Sequence, residues 1–139
     1  KSSTALFENF GNTRIVTDFH GNEHLLIFAD KEQLTRVFVN LVKNAIQAIP
    51  DNREGVIKIE MNSDNKNVLV SIADNGEGIP EEMKEKLFVP NFTTKSSGMG
   101  LGLAIVKNII ESAHGKIWYE TEAGKGTVFY IEFAIYKGV

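Results

Sequence analysis

Apolar residues recur at helical spacing over residues 31 to 49. Leu34, Val37, Phe38, Leu41, Ala45, Ala48 and Ile49 share one broad arc of a 3.6-residue wheel, widened by Val39, Val42 and Ile46. Asp30 is a good N-cap for this helix, and Pro50-Asp51-Asn52 stops it. A second helical run covers 101–114, with Gly115 as its C-terminal cap. Pro80 suits the first turn of a short helix over 81–87, where Glu81 and Glu82 face the positive helix end. Residues 4–9 read as a helix tail. Short apolar or alternating runs predict strands at 14–18 and 25–29 around His20-Gly21-Asn22, and a hairpin from 56–62 and 68–73. Two more strands, 117–121 and 127–136, flank the turn Gly124-Lys125-Gly126. Hairpins outnumber βαβ alternation. The fold class is therefore α+β, a two-layer sandwich with helices on one face of a mixed, mainly antiparallel sheet.

The chain has 139 residues, of which 42% are hydrophobic and 24% charged, with a formal charge of −3 and no cysteine. That length suits one domain with a real core. Zero cysteines exclude a disulfide framework and thiolate zinc, and fit a reducing compartment. Without a basic surplus, nucleic-acid binding has no support from bulk charge. Apolar runs fall far short of the ~20 residues that span a bilayer, so no direct membrane contact is expected. The start at Lys1 reads as that of an excised fragment, with residues 1–11 a linker remnant and 12–139 the domain.

Candidate chemistry enters with the polar sector of the long helix. It holds Gln33, Arg36, Asn40, Lys43, Asn44 and Gln47, with the two asparagines one turn apart. A solvated helix face would look similar, yet asparagine is a mediocre helix former, and aligned amide oxygens can ligate a hard cation. After the strand 68–73 comes Asp74-Asn75-Gly76-Glu77-Gly78. Gly76 and Ile79 stand where an EF-hand loop needs a ligand and a glycine, which excludes that calcium site. A carboxylate at a strand end beside glycines can cap its own turn, or accept from an exocyclic amine on a flat ligand. Gly98-Met99-Gly100-Leu101-Gly102-Leu103 runs into a helix, a natural phosphate seat, but fits neither the dinucleotide fingerprint nor a Walker loop. The aperiodic stretch before it, about 88–100, reads as a lid, with Phe88 and Phe92 as apolar anchors at its base. His20, His24 and His114 lack metal-site spacing. Trp118 and Tyr119 read as sheet packing.

In this order the segments resemble the ATP-binding catalytic domain of sensor histidine kinases, within the superfamily shared with gyrase, the Hsp90 chaperones and MutL. Asn40-Leu41-Val42-Lys43-Asn44-Ala45 is similar to the N box, and Asp74-Asn75-Gly76-Glu77-Gly78-Ile79 to the G1 box. Phe88-Val89-Pro90-Asn91-Phe92-Thr93-Thr94-Lys95 is similar to the F box, and Gly98-Met99-Gly100-Leu101-Gly102-Leu103 to the G2 box. The resemblance implies the Bergerat fold, with ATP between the helix layer and the lid. It implies that Asp74 holds the adenine amine, with Gly76, Gly78 and Ile79 close to the base. Asn44, helped by Asn40, would ligate Mg²⁺ on the phosphates, and Phe92, Gly98, Gly100, Leu101 and Gly102 would complete the nucleotide site. Lys43 and Lys95 are added, from charge and position, as candidates for steadying phosphate charge; each also fits a solvated lysine.

Two departures shape the expected activity. Hydrolytic members of the superfamily carry a glutamate one turn before the Mg²⁺-binding asparagine, where this chain has Asn40. An amide takes no proton at neutral pH, which disfavours hydrolysis and favours transfer to a histidine. The acceptor histidine of these kinases is followed by an acidic residue, whereas His20, His24 and His114 are followed by Gly, Leu and Gly. The expected partners are therefore a separate dimerisation and histidine-phosphotransfer domain and a response regulator. The expected setting is the cytoplasm, and the fragment itself is expected to be monomeric. The alternatives are a serine kinase similar to anti-sigma factors, or a nucleotide-binding regulatory module without catalysis.

Overall fold

The long amphipathic run folds as α1 (Lys31–Gln47), in a computed structural model that describes residues 5–10, 13–18, 31–89 and 99–135. Val37, Leu41 and Ala45 lie on its buried stripe, and Leu34, Phe38, Val42 and Ile46 flank them. Val39, expected to widen that stripe, is instead 52% exposed, because it falls among Glu32, Thr35, Arg36 and Lys43 on the solvent side. The helix tightens at its end, where Ala48 N donates to both Asn44 O and Ala45 O, before Pro50 halts it.

Among the described residues the sheet has six strands: β1 (Ala5–Phe10), β2 (Thr13–Asp18), β3 (Gly55–Ser63), β4 (Asn67–Asp74), β5 (Lys116–Glu122) and β6 (Gly126–Ala134). Their order is β1-β2-β3-β4-β6-β5. Only β2 and β3 run parallel, joined through α1; the other pairs are antiparallel. The mixed, mainly antiparallel sheet is as expected. The helix tail at 4–9 is not: that stretch is β1, paired with β2 through Phe7↔Val16 and its neighbours. Leu6, Phe7 and Phe10 suit a strand once a partner is present, and a lone hexapeptide has too few turns to sustain a helix. The strand expected at 25–29, the turn His20-Gly21-Asn22 and the Asp30 cap lie outside the described residues.

Alternation decides which face of the sheet meets the helices. Val68, Val70 and Ile72 of β4 and Phe129, Ile131 and Phe133 of β6 are buried toward α1 and α2 (Met99–Ser112). Leu41, Ile57, Ile72, Leu103, Ile110 and Ile131 are fully buried, each contributing about 1.5–3 kcal/mol of burial. The other sheet face is polar and mixed, and there Trp118, 38% exposed, stacks on Tyr130 at 5.5 Å. Trp118 is therefore surface packing, while Tyr119 on the helix side touches Phe88 and Phe129.

The expected short helix at 81–87 is a 3₁₀ helix, Glu81–Lys86, with Pro80 at its N-cap. The second long helix starts at Met99 rather than 101, so Gly100 and Gly102 fall in its first turn. Its cap also differs from expectation. His114, not Gly115, takes the left-handed conformation (φ 62°), and Gly115 N donates to Ile110 O at 2.9 Å, as in a Schellman ending. Gly115 is needed for a different reason: a Cβ there would lie 2.7 Å from Glu132 O. A left-handed L-residue costs about 1–2 kcal/mol. His114→Gly is therefore expected to stabilise the fold by about 1 kcal/mol, read as a higher urea midpoint at unchanged slope.

Candidate functional site

The site grows from one face of α1. Asn40, Asn44 and Ala48 follow one another at i, i+4 and i+8, and so lie along one line on the helix. At the end of that line Ala48 O accepts from Glu77 N at 3.1 Å. This bond docks the turn after β4 onto the helix end. Gly76 lies so close that a Cβ would sit 2.5 Å from Ala48 O. On its far side the same turn meets the β5–β6 connection, where Gly124 N donates to Glu77 O at 2.9 Å. Gly78 has φ +83°, and a Cβ there would come 2.7 Å from Glu122 O, so both its conformation and its surroundings require glycine.

Asp74 ends β4 facing this turn. Its Oδ1 accepts from Gly76 N at 2.8 Å, so it does cap its own turn, as one of the two sequence alternatives had it. Burial nevertheless pushes its carboxyl above the usual aspartate range, against the pull of the Gly76 and Thr127 main-chain N–H groups. Among the described residues no cation is paired with it.

Asn44 is the second group held at a cost. It is only 7% exposed, and its Nδ2 has no hydrogen-bond partner among the described residues. The rest of the expected helix stripe behaves differently: Gln33, Arg36, Lys43 and Gln47 are exposed and Asn40 is half-buried. Among the described residues no group of three or more His, Asp or Glu side chains could hold a metal ion. The unpaired Nδ2 is a donor and suits an oxygen of an arriving phosphate, while ligating a hard cation would fall to Oδ1. Ile79 is buried and follows Gly78. Of the remaining expected site residues, Phe92, Lys95 and Gly98 lie outside the described residues, and Gly100, Leu101 and Gly102 are described only as helical backbone.

Several residues that secure the site were not singled out from sequence. Asn75 Oδ1 accepts from Val56 N at 2.8 Å and its Nδ2 donates to Glu54 O at 3.0 Å. Arg53 Nη1 donates to Asn75 O and Gly76 O. Thr121 Oγ1 accepts from Ile79 N at 2.9 Å, reaches Gly126 O at 3.1 Å, and lies 2.8 Å from the buried Thr127 Oγ1. The signal for Thr127 was present: it occupies an inward position of a strand whose other inward positions are Phe129, Ile131 and Phe133. Nothing local marks Arg53.

The α+β sandwich is the fold of histidine kinase catalytic domains. Two nucleotide-free structures of the catalytic domain of histidine kinase ThkA match it. One has a TM-score of 0.67 at 46% identity, covering 78% of this chain and 70% of that one; the other has 0.70 at 44%, covering 85% and 76%. Residues 29–137 match the family described as Histidine kinase-, DNA gyrase B-, and HSP90-like ATPase, and the chain belongs to that family, which implies ATP binding. Sporulation kinase A of Bacillus subtilis (strain 168) is 38% identical over 132 residues, which are 94% of this chain and 22% of that protein. Sensor histidine kinase ZraS of Salmonella typhimurium is 46% identical over 115 residues, or 81% of this chain and 24% of that protein. The chain thus spans about a quarter of the length of these relatives.

The raised Asp74 pKa has a consequence for stability. A carboxyl whose folded pKa exceeds its unfolded value favours the fold below the unfolded value, and that contribution is lost as pH rises through the folded one. At pH 7 the ionised group therefore weakens the nucleotide-free fold. Asp74→Asn, which keeps an acceptor for Gly76 N, is expected to raise the melting temperature at pH 7, with the gain shrinking as pH falls toward 4. A gain independent of pH would contradict a desolvated carboxylate.

Proposed function

We propose that this chain is the ATP-binding catalytic part of a two-component sensor histidine kinase, passing the γ-phosphoryl group of ATP to a histidine on a separate domain. The observation that carries this is the pair of polar groups kept at a cost on two elements tied by Ala48 and Glu77: the desolvated Asp74 carboxylate and the unpartnered Asn44 amide. Asp74 has one oxygen on Gly76 N, and its other oxygen accepts the adenine exocyclic N–H. Gly76 and Gly78 let the flat base approach the backbone, and buried Ile79 adds an apolar wall. Asn44, with Asn40 one turn away, supplies amide oxygens to the cation on the triphosphate; Gly98, Gly100, Leu101, Gly102 and Phe92 complete the phosphate end, and Lys43 and Lys95 steady its charge. Asn44, with Asn40, would hold the Mg²⁺ that comes with ATP, and that ion would supply compensation for the charge of the transferring group.

In the transfer step an imidazole nitrogen of the acceptor forms a bond to the γ-phosphorus, the bond from that phosphorus to the β–γ bridging oxygen breaks, and ADP leaves. Histidine is already a competent nucleophile. Asn40, unlike a carboxylate, takes no proton from water, which supports transfer over hydrolysis. The partners are a dimerisation and phosphotransfer domain carrying the acceptor histidine, and a response regulator whose aspartate takes the group next. ATP supply puts the reaction in the cytoplasm. Among the described residues no helix is long and apolar enough to cross a membrane.

Mixing the chain with γ-labelled ATP and a histidine-bearing helical-hairpin domain from a similar kinase should label that histidine. Label appearing only as free phosphate would overturn the assignment. Asn44→Ala removes a buried, unpartnered amide, so the fold should be as stable or slightly more so, while Mg²⁺-dependent ATP affinity falls at least tenfold, about 1.4 kcal/mol or more. Calorimetry that finds Mg-ATP affinity unchanged would remove Asn44 from the site.

A further inference from the structure

Arg53 lies in the loop between α1 and β3, half-buried, and none of the sequence motifs includes it. Its Nη1 donates to two successive main-chain oxygens, Asn75 O at 2.5 Å and Gly76 O at 2.9 Å. The first belongs to the peptide that joins Asn75 to Gly76. The N–H at the other end of that same peptide is the one held by Asp74 Oδ1 at 2.8 Å. One peptide group is thus gripped at both ends, its negative oxygen by a guanidinium and its positive N–H by a carboxylate. Both charges lie favourably along the peptide dipole.

The arrangement has a property that a direct ion pair would lack. A guanidinium forked onto Asp74 would engage both carboxylate oxygens and compete with a ligand for their lone pairs. Acting through the peptide, the cation favours the ionised carboxylate and fixes its rotamer at Oδ1 without itself taking up either carboxylate oxygen. Arg53 is not recruited elsewhere either, since among the described residues it has no carboxylate partner. Asn75, by bonding Glu54 O and Val56 N, holds the Arg53 loop against the turn from the other side.

We propose that Arg53 is a positioning residue for base recognition: through the Asn75–Gly76 peptide it holds the Asp74 carboxylate ready for an exocyclic amine without occupying it. This rests on the assignment of Asp74 to the adenine.

The test compares ATP with inosine triphosphate, which keeps the ribose and phosphates but replaces the exocyclic amine by a carbonyl oxygen. Calorimetry on the whole chain would measure both nucleotides with the parent, R53Q, R53K, D74N and the R53Q/D74N double variant, with melting curves alongside. R53Q should lower the ratio of ATP to inosine triphosphate affinity by about tenfold, the worth of one charge-assisted hydrogen bond. R53K, with a single point charge and no fork, should recover part of that loss. In the double variant the ratio should match that of D74N alone, because Arg53 acts only through Asp74. An unchanged ratio in R53Q, equal losses for both nucleotides, or losses that add in the double variant would each overturn the proposal. If R53Q does not fold, R53K carries the test, with a smaller drop in the ratio expected and none overturning the proposal. If D74N leaves the ratio unchanged, the adenine assignment itself fails; if D74N lowers it and R53Q does not, Arg53 alone is wrong.

Discussion

A single backbone residue ties the site together. Glu77 donates its N–H to Ala48 O at the end of α1 and accepts from Gly124 N in the turn between β5 and β6. Helix layer and sheet edge are thereby fixed to the same residue, and hydrogen bonds of 2.9–3.1 Å leave little freedom in where it sits. Asp74, Gly76 and Gly78 all lie within three residues of it. Their geometry is set by main-chain bonds that any side chain at 77 would permit, which fits the exposure of Glu77. What cannot vary is bulk on either side: Gly76 lies against the helix end and Gly78 against Glu122 O.

This junction supports two groups that weaken the nucleotide-free fold. The buried amide nitrogen without a partner costs free energy, typically about 1–3 kcal/mol for an unsatisfied buried polar group, and burial disfavours the charged form of the Asp74 carboxyl. They persist because the neighbouring polar groups are nearly saturated. Asn75 uses both ends of its amide, Arg53 covers two carbonyls, and Thr121 accepts from Ile79 N while linked to Gly126 O and Thr127. Among the described residues the buried side-chain atoms left without a partner are Asn44 Nδ2, beside the proposed ligand, and Thr17 Oγ1 on β2.

The layers and most strands were legible in the sequence because burial on one face imposes a period, and periods survive in residue order. Residues 31–49, 56–62 and 68–73 carried enough apolar repeats to be read within two residues of their bounds. β1 was misread because six residues at a sheet edge owe their state to a partner strand, not to their own pattern. His114 was misread because Gly115 beside it offered the commoner cap, and only the close approach of Glu132 O shows why the glycine is needed one position later. Asn44 stood out as one of two asparagines a turn apart in the helix's polar sector, and Asp74 as a carboxylate beside glycines. Arg53 did not, since a lone arginine in a loop looks like any solvated cation until the 22-residue separation to Asn75 is closed in space.

The same contacts explain how an acidic chain can serve a triphosphate. The guanidinium of Arg53 beside the Asp74 turn is directed at carbonyl oxygens behind the proposed base site, not at the phosphate end. For the proposed phosphate end the fold offers the start of α2, a 14-residue helix whose first N–H groups have no intrahelical acceptor and whose dipole places about half a positive charge there. Gly100 and Gly102, without side chains, fall in that first turn. In the proposed reading the two ends of the nucleotide would be met by different kinds of positive charge: a formal cation acting on the base site through one peptide, and backbone dipoles with an imported cation at the phosphates. A net charge of −3 does not oppose this division, because neither end relies on a surplus of basic side chains.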